Sequence, residues 1–185
     1  QIVAELAHAY MQGMHDAGMA AVGKHFPGHG AIEADSHEVI SIDKRRYADI
    51  RADDILPFER MIHYGMPAVM IAHIVYPACD ERAAGFSPFW LQEVLRGELE
   101  FKGAIFSDDL SMKGAAVVGN VVDRARASRE AGCDMVLVCN DRPAASQVLD
   151  ELKVDVKPAS NARLLALQGR KGLAGEVLRR DAKWH

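Results

Sequence analysis

Three stretches of the sequence contain apolar runs of strand length that do not alternate with polar residues. They are "AVMIAHIVY" (residues 68–76), "GAIFSDD" (103–109) and "DMVLVC" (134–139). A strand with one face in water alternates apolar and polar residues, whereas a continuous run is typical of a parallel strand covered on both faces. Helical segments lie between the runs, such as "SPFWLQEVLRGEL" and Val121–Ala131. This alternation predicts an α/β chain built from βαβ units.

A fourth apolar run, Met19–Val22, predicts one more strand. Polar residues follow the four predicted strands at their carboxyl ends: Lys24 and His25, His73, Asp108, and Asn140. In a β/α barrel the active site is built at that end of the strands, but a full barrel needs eight strands and about 250 residues. The 185 residues therefore predict either a small open α/β sheet or about half of a barrel.

Composition excludes several classes of protein. The net charge is −4, and no basic stripe is present to neutralise phosphates, so nucleic acid is not an expected partner. No apolar run approaches the roughly 18 residues that would span a bilayer. The three cysteines form no CxxC pair, which favours a reducing compartment and a cytoplasmic location.

Two acidic motifs suggest acid–base chemistry. In "DSH" the carboxylate of Asp35 can hold the imidazole of His37, because residues i and i+2 of an extended chain point to the same side. An incidental pair on a surface loop is the alternative. In "FSDDLS", Asp108 and Asp109 follow a strand, and alternation lets only one of them face a site while the other caps the next turn.

The segment "KHFPGHG" permits two interpretations. Lys24 and His25 can donate hydrogen bonds to a neutral polar ligand at the strand end. Alternatively, His25, His29 and His37, with Asp35, are possible zinc ligands. No HExxH or other fixed ligand spacing accompanies them, so we expect neither a metal nor another cofactor.

With these residues in hand, the chain resembles the family 3 glycoside hydrolases, in particular the bacterial β-N-acetylhexosaminidases of peptidoglycan recycling. Three stretches carry the resemblance: "GKHFPGHGAIEADSH", "VMIAHIVYPACD" and "GAIFSDDLSMKGA". It extends to about residue 170 and implies a TIM-type (β/α)8 barrel, of which this chain would be the second half, from strand 5 to strand 8. Residues 1–185 would then form a single partial domain, with 154–185 as its C-terminal helical extension.

The resemblance also implies roles for individual residues. Asp108 would be the nucleophile of a retaining double displacement, and His37 would be the acid/base, assisted by Asp35. Lys24 and His25 would bind the terminal N-acetylglucosamine of a muropeptide, and we assign His73 to substrate binding with them.

Four βα units leave two unpaired strand edges, at Met19–Val22 and Met135–Cys139, and such edges recruit partners. We expect the chain to pair with the missing N-terminal half-barrel or with itself. A metal-dependent hydrolase and a non-catalytic sugar-binding half-barrel remain as alternatives to the glycosidase.

Overall fold

The computed structural model describes residues 2–31, 41–155, 157–170, 175 and 179–180. The α-helices are α1 (Ile2–Asp16), α2 (Tyr47–Ala52), α3 (Ile55–His63), α4 (Val121–Ala131), α5 (Arg142–Glu151) and α6 (Pro158–Leu165). The strands are β1 (Val22–Phe26), β2 (Ser41–Ile42), β3 (Ala68–Ile71), β4 (Ile74–Tyr76), β5 (Asp80–Ala83), β6 (Ala104–Asp109) and β7 (Met135–Leu137). Phe89–Glu98 forms a π-type helix, and Ala84–Phe86 and Lys113–Val118 form 3₁₀ turns.

The four strands expected from the apolar runs form one sheet. Its order is β1-β3-β6-β7, and every neighbouring pair is parallel. The register pairs Val69 with Ile105 and Met70 with Phe106, and Phe106 in turn with Met135. Strands that are adjacent in this sheet also follow one another along the chain, as βαβ units require. The prediction of an α/β fold with a parallel sheet is confirmed.

The two faces of this sheet differ in burial. Val69, Ile71 and Ile105 point toward the helices and are fully buried in the main core with Trp90. On the opposite face Met70 and Phe106 are only partly buried, and Val22 and Met135 at the sheet edges are 41% and 39% exposed. Within the described part of the chain, helices therefore cover one face of the sheet, and the other face is only partly covered at Met70 and Phe106.

Residues between β1 and α3 contain structure that the sequence did not predict, since this region reads as a loop up to about residue 53. Ser41–Ile42 pairs in parallel with Ile74–Val75 of β4, which continues antiparallel to β5. Helix α2 follows at Tyr47–Ala52. A two-residue strand and a six-residue helix are too short to show a periodic pattern, so the non-local pairing with β4 decides this segment.

Element boundaries also differ from expectation. The first strand is Val22–Phe26, so it starts where the Met19–Val22 run ends. The run "AVMIAHIVY" is divided, since Ile71 ends β3 and β4 joins the small second sheet. The C-terminal helical extension expected at residues 154–185 contains α6, and most of it after residue 170 lies outside the described residues. Within the described ranges, no helix is long and apolar enough to cross a membrane.

A buried ion cluster joins the end of the sheet to the C-terminal helix. Asp134, just before β7, has a side chain that is 1% exposed and accepts hydrogen bonds from Arg163 at 2.6 and 2.9 Å, Arg96 at 3.0 Å and the Ile105 amide at 2.9 Å. Ser160 donates a further hydrogen bond to it. Burial raises the pKa of Asp134, but these donors, led by Arg163, outweigh burial and leave the pKa below its ordinary value.

Asp134→Ala is expected to lower the free energy of unfolding by about 3–5 kcal/mol, because it leaves Arg96 and Arg163 without their buried counter-ion. The matched control is Asp123→Ala, which breaks an exposed pair with Arg126 at 3.0 Å and should cost less than about 1 kcal/mol. Urea unfolding of the variants and the wild type measures both. Equal losses of stability in the two variants would contradict the conclusion that the buried cluster around Asp134 stabilises the fold more than an exposed ion pair does.

The same carboxylate sets a pH dependence. The pKa of Asp134 is lower in the folded state than the unfolded value of about 3.9. The contribution of Asp134 to the free energy of unfolding is therefore fully present above that value. It is lost as the pH falls through the folded-state pKa.

Candidate active site

Three of the polar residues expected at the strand ends, Lys24, His25 and Asp108, lie at one edge of the sheet. Lys24 and His25 belong to the last residues of β1, and Asp108 lies at the end of β6. Strand β3 lies between these two strands and is parallel to both, so the carboxyl ends of all three reach the same edge. Topology thus brings together residues that are 83 positions apart in the sequence, His25 and Asp108.

His25 and Asp108 face each other across that edge. The Nε2 atom of His25 is 3.7 Å from Oδ2 of Asp108, with side chains that are 29% and 16% exposed. The other carboxylate oxygen of Asp108 accepts a hydrogen bond from the Asp109 amide at 2.8 Å. One oxygen is therefore held by the backbone, while the other is directed toward the open face beside an imidazole.

The two adjacent aspartates have different environments, as strand alternation predicts. Asp109 turns into the following loop, where its carboxylate accepts hydrogen bonds from the Ser111 amide at 2.9 Å, the Ser111 hydroxyl at 2.7 Å and the Cys139 amide at 2.9 Å. Those three donors tie the end of β6 to the end of β7. Asp109 thus caps the turn, and Asp108 is the carboxylate that faces His25.

Lys24 precedes His25 in β1, and His29 lies close to His25 in the segment after β1. Lys24 is exposed. The ring centroids of His29 and His25 are 6.2 Å apart, and their planes are tilted by 57°. The imidazole of His25 and the carboxylate of Asp108 supply a donor and an acceptor for the hydroxyl groups of a sugar, and His29 brings a second imidazole close to His25.

Unlike His25 and Asp108, His73 is not accessible to a ligand. Its side chain is buried, with 1% of the residue exposed, and its ring stacks on Phe86 at a centroid distance of 5.3 Å. Phe86 lies on the helix side of the sheet, within the cluster that packs against α4. Our assignment of His73 to direct substrate contact is therefore not supported, because its ring nitrogens are shielded from the open face.

Asp35 and His37 lie outside the described residues. The chain leaves the described part after residue 31 and re-enters it at residue 41, and both of these ends are anchored. Tyr76 donates a hydrogen bond from its hydroxyl to the Gly28 carbonyl at 2.7 Å. A Cβ atom on Gly28 would lie 2.2 Å from Cβ of Asp54, so only glycine fits this close approach.

The second anchor is a group of charges after β2. Arg45 donates to Asp43 at 2.7–3.1 Å and to Asp54 at the start of α3. Burial raises the pKa of Asp43, but the hydrogen bonds and charge of Arg45 outweigh burial and hold the pKa below its ordinary value. Sequence reasoning missed Asp43, Arg45, Asp54 and Tyr76, because Asp54 and Tyr76 are 9 and 48 positions from their partners.

The metal interpretation gains no support from the described residues. Of His25, His29 and His37, only the first two are described, and no group of three His, Cys, Asp or Glu side chains in the described part of the chain could hold a metal ion. Cys79 is partly buried and Cys133 is buried, and burial raises the pKa of both thiols.

Comparison with known proteins identifies the family. Residues 1–166 match the model of the glycosyl hydrolase family 3 N terminal domain. The chain belongs to glycoside hydrolase family 3.

Curated relatives are similar over all or most of the chain. A protein named beta-hexosaminidase from Thioalkalivibrio sulfidiphilus is 54% identical over 184 residues, which are 100% of this chain and 53% of the relative. A beta-hexosaminidase from Nitrosospira multiformis is 55% identical over 170 residues, 92% of this chain and 49% of that protein. This chain therefore spans about half the length of the curated relatives it matches.

Solved structures of family 3 proteins show the same correspondence. NagZ from Neisseria gonorrhoeae in complex with N-trifluoroacetyl-D-glucosamine is 40% identical, with a TM-score of 0.86 over 98% of this chain and 52% of that chain. The same protein in complex with a zinc ion is 39% identical, with a TM-score of 0.86 over 98% and 51%.

Proposed function

We propose that this chain is the C-terminal half of a family 3 catalytic barrel and, together with the remaining half, a retaining exo-β-N-acetylglucosaminidase. The observation that carries the proposal is the pairing of Asp108 with His25 at the carboxyl edge of a parallel sheet, next to the exposed Lys24. The curated relatives named beta-hexosaminidase, and NagZ bound to a glucosamine derivative, support the reaction and the sugar.

The half-barrel assignment accounts for the shape of the sheet. Four parallel strands in sequence order make up half of the eight that a β/α barrel needs. The chain spans about half the length of its relatives, and the open face of the sheet carries the partly exposed Met70 and Phe106. In a closed barrel these side chains would pack against the inward side chains of the other four strands.

The proposed chemistry is a double displacement. An oxygen of Asp108 attacks the anomeric carbon, the glycosidic bond breaks, and the leaving oxygen takes a proton from His37. Water then attacks the glycosyl ester with His37 as the base, which releases the sugar and restores the Asp108 carboxylate.

A histidine suits the acid/base role beside Asp108. The usual retaining mechanism needs two carboxyl groups about 5 Å apart, which repel each other when both are ionised. Imidazole adds no second negative charge, so the nucleophile stays ionised more easily, and its ordinary pKa of about 6.5 allows proton transfer both ways near neutral pH. Asp35 would hold the ring of His37 and support its protonated form.

Substrate recognition follows from the remaining groups. Lys24 and His25 would donate hydrogen bonds to hydroxyls of the terminal N-acetylglucosamine, with that sugar seated over Asp108. The natural substrate would be a peptidoglycan fragment, an anhydro-muropeptide in the cytoplasm. No cofactor is needed for this scheme.

The test uses the completed protein, meaning this chain together with the half of its relatives' length that it does not span. A chromogenic aryl N-acetyl-β-glucosaminide is expected to be hydrolysed at the same rate with and without EDTA. Loss of turnover in EDTA would favour a metal-dependent hydrolase. Binding of N-acetylglucosamine without turnover would favour a sugar-binding module.

The role of His37 predicts a dependence on the leaving group. His37→Ala is expected to slow cleavage of substrates with sugar leaving groups roughly a hundredfold or more, because a poor leaving group needs the proton. Activated aryl glycosides should lose far less in the glycosylation step. Pre-steady-state rates with both substrate types measure this difference, and an equal loss for the two would show that His37 is not the acid.

A further inference from the structure

His73 is a buried histidine whose polar atoms have no hydrogen-bond partner among the described residues. Neither Nδ1 nor Nε2 makes a hydrogen bond, and 1% of the residue is exposed. Leaving a buried donor or acceptor unpaired costs about 1–3 kcal/mol. An apolar residue at this position would avoid that cost, so the presence of a histidine calls for an explanation other than packing.

The surrounding chain is shaped to admit this ring. One face of the imidazole stacks on Phe86 with an interplanar angle of 13°. Gly85 lies so close that a Cβ atom there would be 3.2 Å from Nδ1 and 3.3 Å from Cε1 of the ring. The Ser128 hydroxyl of α4 donates to the Gly85 carbonyl at 3.2 Å and fixes the position of this glycine.

Strands β3 and β6 pair in parallel with Met70 opposite Phe106, so the segment after β3 that carries His73 lies beside the end of β6, where Asp108 and Asp109 are. The carboxylates and the backbone of Asp108 and Asp109 both favour the protonated ring, but burial is the larger effect and holds the pKa of His73 below its ordinary value. The ring is therefore neutral near pH 7, with one N–H to donate. It lies beside the Asp108–Asp109 backbone without the alignment of a hydrogen bond, and such contacts in a free enzyme often tighten only when substrate is bound.

We propose that His73 is a positioning residue for Asp108. From the helix side of the sheet, its N–H supports the backbone that carries the Asp108 carboxylate on the open side. This inference rests on the proposed function, in which Asp108 is the nucleophile. His73 does not touch the sugar.

The test compares three variants in the completed protein. His73→Phe keeps a ring that can stack on Phe86 but removes both nitrogens, and His73→Gln keeps an N–H donor. His63→Phe makes the same chemical change at an exposed histidine of α3 and is the control. Steady-state kinetics with an aryl N-acetyl-β-glucosaminide and thermal unfolding are measured for each.

His73→Phe is expected to lower kcat at least tenfold, to change KM by less than twofold, and to unfold at the same or a higher temperature. The stability follows because replacing an unpaired buried polar group by an apolar one of similar shape is neutral or stabilising. His73→Gln should keep several times more of kcat than His73→Phe, and His63→Phe should match the wild type. An unchanged kcat in His73→Phe overturns the proposal, and so does a raised KM with unchanged kcat, which would indicate direct substrate contact.

A second variant covers the possibility that His73→Phe does not fold. Gly85→Ala keeps both ring nitrogens but pushes the ring by a few tenths of an ångström, so it too should lower kcat at constant KM. An unchanged kcat in Gly85→Ala, with His73→Phe unfolded, would overturn the proposal.

One readout needs no turnover and separates this proposal from the proposed function. The carboxyl carbon resonance of Asp108 is expected to shift in His73→Phe and to stay in place in His63→Phe. A wild type that hydrolyses no glucosaminide would refute the proposed function, while an unmoved Asp108 resonance in His73→Phe would refute the positioning role.

Discussion

Asp108→Asn is expected to reduce glycosidase activity of the completed protein by roughly three orders of magnitude or more, because the amide cannot attack the anomeric carbon. The substitution keeps the size of the side chain and an oxygen that can accept the Asp109 amide hydrogen bond. The protein should therefore fold normally. Turnover of an aryl N-acetyl-β-glucosaminide, expressed per folded protein, measures the loss.

The neighbouring aspartate supplies the control. Asp109→Asn weakens the hydrogen bonds to Ser111 and the Cys139 amide, and should lower the free energy of unfolding by about 1–3 kcal/mol. It should reduce activity less than tenfold, because its carboxylate faces the turn. If the two variants retained equal activity, the assignment of Asp108 as nucleophile would fail.

Catalysis is expected to appear only when this chain is combined with the missing half of the barrel. The natural probe is the half of the Thioalkalivibrio sulfidiphilus beta-hexosaminidase that this chain does not match, since that protein is 54% identical over the half it does match. Mixing the two should give a 1:1 complex and raise hydrolysis of the aryl glucosaminide from background. Either half by itself should stay at background, because half of the strand ends would be absent.

The physical reason lies in the apolar surface of the described chain. Helix α1 and both sheet edges expose large apolar side chains, and soluble monomers rarely tolerate contiguous apolar patches above a few hundred Å². On α1 they are Ile2, Val3, Leu6 and Tyr10, and at the sheet edges they are Val22 and Met135. Without the other half, we expect the chain to associate with itself through these surfaces.

Sedimentation of the chain at micromolar concentration measures this association. A compact monomer near its mass of 20.2 kDa that unfolds cooperatively would contradict the half-barrel assignment. A matched control is Leu149→Ser on α5, which removes a side chain that is 83% exposed but far along the chain from α1 and β1. It should not affect the 1:1 complex, whereas Tyr10→Ser together with Val22→Ser should weaken it.

Much of the framework was predictable from local sequence. Continuous apolar runs identified β3, β6 and β7, because the strands of a parallel sheet in a βα fold carry apolar residues on both faces and show no polar alternation. The order of two adjacent aspartates after a strand was enough to divide their roles, because successive side chains of a strand point to opposite faces. The placement of Lys24, His25 and Asp108 at strand ends likewise predicted that they would share an edge.

Other features depended on the tertiary structure. The apolar run through Ile71 and Val75 does not show that the chain leaves one sheet after Ile71 and enters the other at Ile74. The parts of the run before and after this change are equally apolar. His73 follows a strand just as Asp108 does, yet it packs against Phe86 behind the sheet. Only the neighbouring Gly85, 12 positions later, decides that the ring fits there.

The sequence by itself determined the βαβ alternation and the set of polar residues at the strand ends, because both are encoded by periodicity within a few residues. The tertiary structure decided which side chains meet: Asp134 with Arg96 and Arg163, Arg45 with Asp54, and His25 with Asp108. These contacts join residues 9 to 83 positions apart. No local pattern encodes them, because hydrogen bonds and ion pairs require a distance of about 3–4 Å that only the packed sheet and helices set.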